Sequence, residues 1–447
     1  HAVLSALTGV TEEQTILATR VLLTQGLLQA NATELYELHP LVAEFARQRF
    51  SERSGQNNGL SWPAAHAEAA HYYQRQFALH PLPIKQRSRI DDIHALIEAV
   101  WHFCQAEQWS DGYTLLEQEK LFTSLLHWGE YEVLLQIYTT FLSASGWQPA
   151  PTLAAHLYNQ QGEIKKNLGQ RQEALADFTR ALTLSRAAGD LPEEVKALNN
   201  LGSIQRAMGQ IEQALEHYKM ALALSEKAQE PVEKGVTLNN LGRAWQSLGK
   251  QNEQAKTKQK QYHQALAYYE QALAIHQQER NTAEIAITLN NMGETYVELK
   301  KWDKALEHYQ KALEYFRSIR DRRGEAIACN NLGAFYQKQW QQQSAFEYYV
   351  QALQIFQDIG DRWAEATTLR NLGRVFLLAQ RSEVALACFL RARDIYEELR
   401  LPDRGQLPIG LQSSLANEKP LQQAIDEVRP RAAEIIAEAL RQGIEFD

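Results

Sequence analysis

Adjacent asparagines recur along this chain inside nearly identical hexapeptides. They occur in "ALNNLG" at 197–202, "TLNNLG" at 237–242, "TLNNMG" at 288–293 and "ACNNLG" at 328–333, and one of the two is replaced in "TLRNLG" at 368–373. An asparagine carries an acceptor and a two-proton donor on one short side chain. A row of them can bond the backbone of an extended polypeptide without demanding a particular sequence, or it can tie neighbouring helices into a ladder. Arg370 stands where the last pair lacks its first asparagine, and Arg243, Glu294 and Arg374 follow one turn beyond their pairs. Arginines at such positions can select acidic groups or a chain terminus.

No catalytic set accompanies this pattern. The 13 histidines are scattered, and His217 and His308 merely share a repeat position in "ALEHY". His66 and His71 have no further ligand at a spacing that suits a metal. Cys104, Cys329 and Cys388 are odd in number and far apart, which fits buried thiols in a reducing cytoplasm better than a disulfide framework. There is no GxxxxGK[ST] stretch and hence no phosphate cradle. A net charge of −8 disfavours general nucleic-acid binding. No apolar run approaches the roughly 18 residues of a membrane span. The first residues, "HAVLSALTGV", do not read as a signal peptide, and without an initiator methionine a fragment of a longer protein is the expectation.

The elements that must position the asparagines follow from a period. Gly162, Gly202 and Gly242 are 40 residues apart, as are Gly293, Gly333 and Gly373, while the step between the two sets is 51. A second anchor follows, from "ALADF" at Ala174 to "ALACF" at Ala385, and an alanine recurs seven residues further on. Such a period marks stacked supersecondary units. Leu238, Leu241, Trp245 and Leu248 lie on one helical face, Gly249 offers a C-cap, and a second helix carries an aromatic such as Tyr218, Tyr269 or Tyr309. Six helix hairpins over 151–400 are therefore expected. The third bears an 11-residue insertion near "KQNEQAKTKQKQYHQ", close to three helical turns, so both of its helices can lengthen in phase. Its lysines at 250, 256, 258 and 260 read as a solvated spur or as a basic contact.

This pattern resembles the tetratricopeptide repeat, in the 40-residue form found in kinesin light chains and bacterial regulators. The resemblance implies a right-handed superhelical all-α solenoid whose first helices line a concave groove. Carried onto this sequence, it places Asn199, Asn200, Asn239, Asn240, Asn290, Asn291, Asn330, Asn331 and Asn371 on that groove, with Arg243, Glu294, Arg370 and Arg374 beside them. The last repeat, where Arg370 enters, is the expected seat of a charged ligand end. At least one asparagine of each pair is expected to be structural.

Residues 63–150 read as a helical spacer of degenerate hairpins, with Gly129 at one turn, and 51–62 as a linker. Within 1–50, helix signals surround "ELYELH", which alternates like a strand and suggests a small winged helix. Its "YELHPLVAEFARQRF" resembles the end of the winged-helix domain in NB-ARC or STAND signalling ATPases. The resemblance implies that His39 approaches the phosphates of ADP in an intact parent, which would use ADP or ATP with Mg; this segment itself is expected to hold no cofactor. Pro40 follows where plant members have aspartate. The candidate DNA-recognition stretch, "ILATRVLLTQGLLQAN", has only Arg20 as a cation, too little for phosphate contacts. After the repeats, 401–447 read as capping helices. The function expected is a non-catalytic sensor region of a STAND-type ATPase, with a protein or peptide ligand in the groove and an upstream nucleotide-binding domain as partners, and no membrane. A free-standing scaffold or adaptor is the alternative, and a winged-helix transcription regulator a third reading.

Overall fold

The hairpins form because three signals coincide: a capped or proline-led start, an apolar face at helical spacing, and a small residue where the second helix crosses. The computed structural model describes residues 28–30, 36–38, 62–87, 89–399 and 421–443. The chain divides into two compact units, His1–Pro149 and Ala150–Asp447.

In the first unit, β1 (Leu28–Ala30) and β2 (Tyr36–Leu38) pair antiparallel with Gln29 opposite Glu37. The alternation in "ELYELH" predicts that second strand. His39, the rest of the expected winged helix and the linker up to residue 61 lie outside the described residues. Five helices follow: α1 (Trp62–Leu79), α2 (His94–Gln105), α3 (Trp109–Gln118), α4 (Leu121–Trp128) and α5 (Tyr131–Ser143). Gly129 ends α4 in the left-handed region at φ 83°, the turn its sequence position predicts. Leu96, Val100, Phe103, Leu116, Leu125, Leu134 and Phe141 are buried there. Arg87 is buried as well, donating to the Leu82 and Glu119 carbonyls and the Glu119 carboxylate. His66 and His102 meet through their Nδ1 atoms at 2.7 Å, beside Trp101 and Tyr73.

The second unit stacks six hairpins. They are α6 (Pro151–Asn167) with α7 (Arg171–Ala188), α8 (Leu191–Ala207) with α9 (Ile211–Ala228), and α10 (Pro231–Gln251) with α11 (Ala255–Gln278). Then come α12 (Thr282–Glu298) with α13 (Trp302–Ser318), α14 (Arg322–Lys338) with α15 (Gln342–Asp358), and α16 (Arg362–Leu378) with α17 (Ser382–Glu398). Asp190, Asn281, Asp321 and Asp361 cap first helices by accepting from the backbone N–H three residues on. In every hairpin the anchor glycine lies under an aromatic ring of the second helix. A methyl group at Gly202 or Gly242 would sit 2.5 Å from a ring carbon of Tyr218 or Tyr269.

The insertion lengthens both helices of the third hairpin. α10 has 21 residues and α11 has 24, four and seven more than α12 and α13, which have 17 each. Gly249 therefore does not cap α10, as its sequence position predicts; it is buried inside the helix against Tyr262, because the next turn of helix has a partner to pack on. Gly235 meets His276, Gly242 meets Tyr269 and Gly249 meets Tyr262, three contacts of one kind at seven-residue spacing on both helices. The first hairpin has Gln161 where others have leucine or methionine. There Lys165 bridges Gln161 and the buried Asp177, a polar link in place of an apolar one.

At the far end, α18 (Leu421–Val428) and α19 (Ala432–Gln442) lay Ala424, Val428, Ile436 and Ala439 on the core of the last hairpins. Arg429 pairs with Asp394, and Arg381 donates to the Gly443 carbonyl at 3.0 Å. These helices cover the open end of the stack as a polar cap must.

Gly249→Ala should destabilise the second unit by about 1–3 kcal/mol, because the Tyr262 ring has to move; urea unfolding followed by circular dichroism measures it. In the first unit, burial and then His66 hold His102 down at about 4, against an ordinary 6.5. The unfolded chain takes up that proton first, so this contribution to stability is complete above about pH 6.5 and lost as pH falls toward 4. His102→Gln should flatten that acid limb of the urea midpoint.

Candidate functional site

The first helices of successive hairpins, α6, α8, α10, α12, α14 and α16, present the asparagines. In three of the four pairs the first asparagine is the deeper one: Asn199, Asn239 and Asn290 are 5%, 3% and 7% exposed, while Asn330 is half-buried like its neighbour. Asn200, Asn240, Asn291, Asn331 and Asn371 are half-buried. Between hairpins the amides bond to each other. Asn200 donates to Asn159 at 3.4 Å, Asn291 to Asn239 at 3.2 Å, Asn331 to Asn290 at 3.0 Å and Asn371 to Asn330 at 3.2 Å. Each of these four rungs follows one rule: the second asparagine of one hairpin donates to the first of the hairpin before it. Of the two roles open to the row, the ladder is the one seen, and the deeper asparagines are structural. Their burial makes an unpaired amide costly, and the next hairpin supplies the partner.

Side chains flanking the ladder extend it. Asn159 also donates to Glu193, and Asn199 donates to the Thr237 hydroxyl at 2.9 Å. Thr368 donates to Asn330, sharing that acceptor with Asn371. One rung is missing. The Asn240 side chain makes no hydrogen bond among the described residues, and Oδ1 of Asn199, the acceptor it would use, is buried without a partner.

The charged residues divide. Glu294 forms an ion pair with Lys250 of the insertion, so that lysine is engaged rather than free. Lys258 lies over the Tyr262 ring at 5.9 Å. Arg374 is exposed, and Arg370 is half-buried with its Nε unpartnered. Arg243 is half-buried and has no carboxylate partner among the described residues. It acts on Arg206, whose ionisation it and burial both oppose. Lys166 is pushed down by burial and by Arg243, Arg323 and Arg206, against the opposing pull of Glu163.

Sequence reasoning missed Asn159, Lys166, Arg206 and Tyr269. The first two were within reach of the period, since Asn159 and Lys166 stand 40 residues before Asn199 and Arg206. The buried Tyr269 hydroxyl, which has no hydrogen-bond partner, could not be foreseen. Among the described residues no three His, Cys, Asp or Glu side chains gather around a metal position, and no helix is long and apolar enough to cross a membrane. The three cysteines are buried and free, and burial pushes the Cys388 thiol up to about 12.

An array of paired helices stacked through a common first-helix face is an α-solenoid. Residues 153–227, 254–318 and 325–398 match the tetratricopeptide-repeat family, and the solenoid is built of tetratricopeptide repeats. The unmatched stretch within the array is mostly α10, the lengthened first helix. No curated protein matches the sequence. Among solved structures, a Rap protein complexed with competence and sporulation factor is 13% identical, with 80% of this chain and 98% of that one covered at a TM-score of 0.53. A tetratricopeptide-repeat protein from Thermus thermophilus is 24% identical over 48% of this chain and 99% of its own, with a TM-score of 0.38. A signal-transduction ATPase with a tetratricopeptide-repeat sensor from Pyrococcus horikoshii is 16% identical over 92% of this chain and 60% of its own, with a TM-score of 0.43.

If the ladder is structural, Asn290→Ala should cost about 1–3 kcal/mol by orphaning the Asn331 amide. Asn240→Ala, which breaks no bond, should change stability by less than about 0.5 kcal/mol. Paired urea titrations compare them.

Proposed function

We propose that this chain is the recognition and regulatory part of a STAND-type ATPase, taking a protein or peptide ligand on the inward face of its repeats. The observation that carries the ligand reading is the state of that face. We assign the half-buried amides, Arg243 and the exposed Arg374 to it, and neither arginine has a carboxylate partner among the described residues. Tetratricopeptide repeats serve protein–protein interaction, and the Rap protein of similar fold is complexed with a factor of its own. The ATPase reading rests on "YELHPLVAEFARQRF", on the paired strands preceding His39, and on the order of small domain, helical spacer and repeats.

In this reading an upstream domain holds ADP or ATP with Mg, and His39 is the residue of this chain assigned to the phosphates. Ligand in the groove shifts the winged-helix domain and relieves autoinhibition. The protein works in the cytoplasm, and the segment itself catalyses nothing. The test is to express the chain with the segment encoded before His1 and compare nucleotide hydrolysis with and without residues 150–447. Loss of the array should raise turnover about tenfold, within the usual range of allosteric coupling. Unchanged turnover, or an upstream segment with no P-loop, overturns the ATPase reading.

A further inference from the structure

The turns inside the third, fourth and fifth hairpins lie side by side at one end of the helices. Glu298, near the end of α12, ties them together. The Tyr262 hydroxyl of α11 donates to one of its carboxylate oxygens at 3.2 Å, and Lys338 of α14 donates to the other at 3.0 Å. Trp302, which opens α13, meets Phe335 of α14 edge to face at 6.1 Å. The insertion lengthens α10 and α11 at this same end. At about 1.5 Å per residue, its added turns carry the tip of the third hairpin about 6–10 Å past its neighbours.

This end of the array is basic. Lys250 and Lys338 pair with Glu294 and Glu298. Lys256, Lys260, Lys300, Lys301 and Lys304 are exposed, and none forms an ion pair with a carboxylate among the described residues. Lys258 and Lys304 lie over the Tyr262 and Tyr296 rings at 5.9 and 5.6 Å. Across 247–263, 294–304 and 335–343 the remaining acids are Glu253 and Asp303.

Beside these lysines stands an aromatic residue that the fold does not use. Trp340 turns the fifth hairpin at φ 59°, in the left-handed region, and is 80% exposed. The first two hairpins turn at the corresponding positions on Gly169 and Gly209, at φ 78° and 83°. A bulky residue is disfavoured in that conformation, and an indole left in water gains nothing from burial. Such strain at an exposed site points to a role in binding.

We propose that these three turns form a docking surface for an anionic lipid bilayer, with the lysines against the headgroups and the Trp340 indole entering the headgroup layer. The contact is peripheral, and it depends neither on a ligand in the groove nor on an upstream ATPase. Lysines near an anionic leaflet each add to the attraction, and indoles favour the membrane–water interface. Lysine is a compact, strongly hydrated point charge that suits a diffuse layer of headgroups, whereas bidentate recognition of a carboxylate or a base edge favours arginine. The cations stand on projecting turns, where a broad surface reaches them together. A nucleic-acid chain running past the patch would meet a protein of net charge −8, and these turns offer it one exposed indole for stacking.

The experiment uses the full chain. It is sedimented with vesicles of phosphatidylcholine alone, or with about 30% phosphatidylserine added. Binding should require phosphatidylserine at about 0.05 M salt and be lost at about 0.5 M. Lys256→Gln, Lys260→Gln, Lys300→Gln and Lys301→Gln combined should weaken binding at least about tenfold with an unchanged thermal melt. Phosphatidylserine vesicles should shift tryptophan emission to the blue in wild type and in Arg374→Gln, and not in Trp340→Ala. Equal binding to both vesicle types, binding to neither, or full binding by the lysine variant overturns the proposal. So does a blue shift that survives Trp340→Ala, or release of the chain from vesicles by a single-stranded oligonucleotide or polyglutamate at equal charge concentration.

Discussion

Every hairpin of the array depends on one contact, a glycine of the first helix lying flat against an aromatic ring of the second. Gly162 and Phe178, Gly202 and Tyr218, Gly242 and Tyr269, Gly293 and Tyr309, Gly333 and Tyr349, and Gly373 and Phe389 all meet this way. With no Cβ on one side, the helix backbone approaches the ring directly, which fixes both the separation of the helices and their register. The third hairpin shows the register is a rule and not an accident of one site. Its added residues extend the helices antiparallel, so the same contact repeats at Gly249 and Tyr262. Because four residues go to the end of α10 and seven to the start of α11, the neighbouring hairpins keep their places.

The asparagine ladder follows from that fixed geometry. Once hairpins stack at constant spacing, residues 41 apart on first helices face each other, and one amide can donate to the next. The insertion does not disturb this. Asn291 still reaches Asn239 across 52 residues, since the extra turns lie beyond the level of the ladder. A polar side chain that is poor in isolated helices is thereby satisfied by its neighbour in four of the five rungs. The ladder fixes neighbouring hairpins in register where apolar contacts alone would tolerate sliding.

Much of this was legible in the sequence. The period of 40 located the hairpins, the glycines and the aromatics, and it required no knowledge of contacts. The repeated consensus also led to the expectation that at least one asparagine of each pair is structural. Gly249 misled for a physical reason. A glycine at a helix end and a glycine under a ring look alike until the partner helix is known to extend as far. The direction of the ladder, and which charges find partners, were not legible either. Glu294 and Arg243 occupy the same repeat position, yet only Glu294 is paired, because Lys250 lies opposite it.

That difference leads to the electrostatics of the inward face. Arg243, Arg323 and Arg206 all act, after burial, to lower the Lys166 ammonium's affinity for its proton. Arg323 is neutralised by Asp361, and Glu163 offsets part of the charge on Lys166. Arg206 is held by the Tyr218 hydroxyl, which contributes a hydrogen bond but no formal negative charge of its own. The excess of positive charge therefore concentrates where α6, α8 and α10 meet, in a chain whose net charge is −8. The same patch is where the ladder lacks a rung, so charge and hydrogen-bonding capacity are left open together at the junction of the first three hairpins.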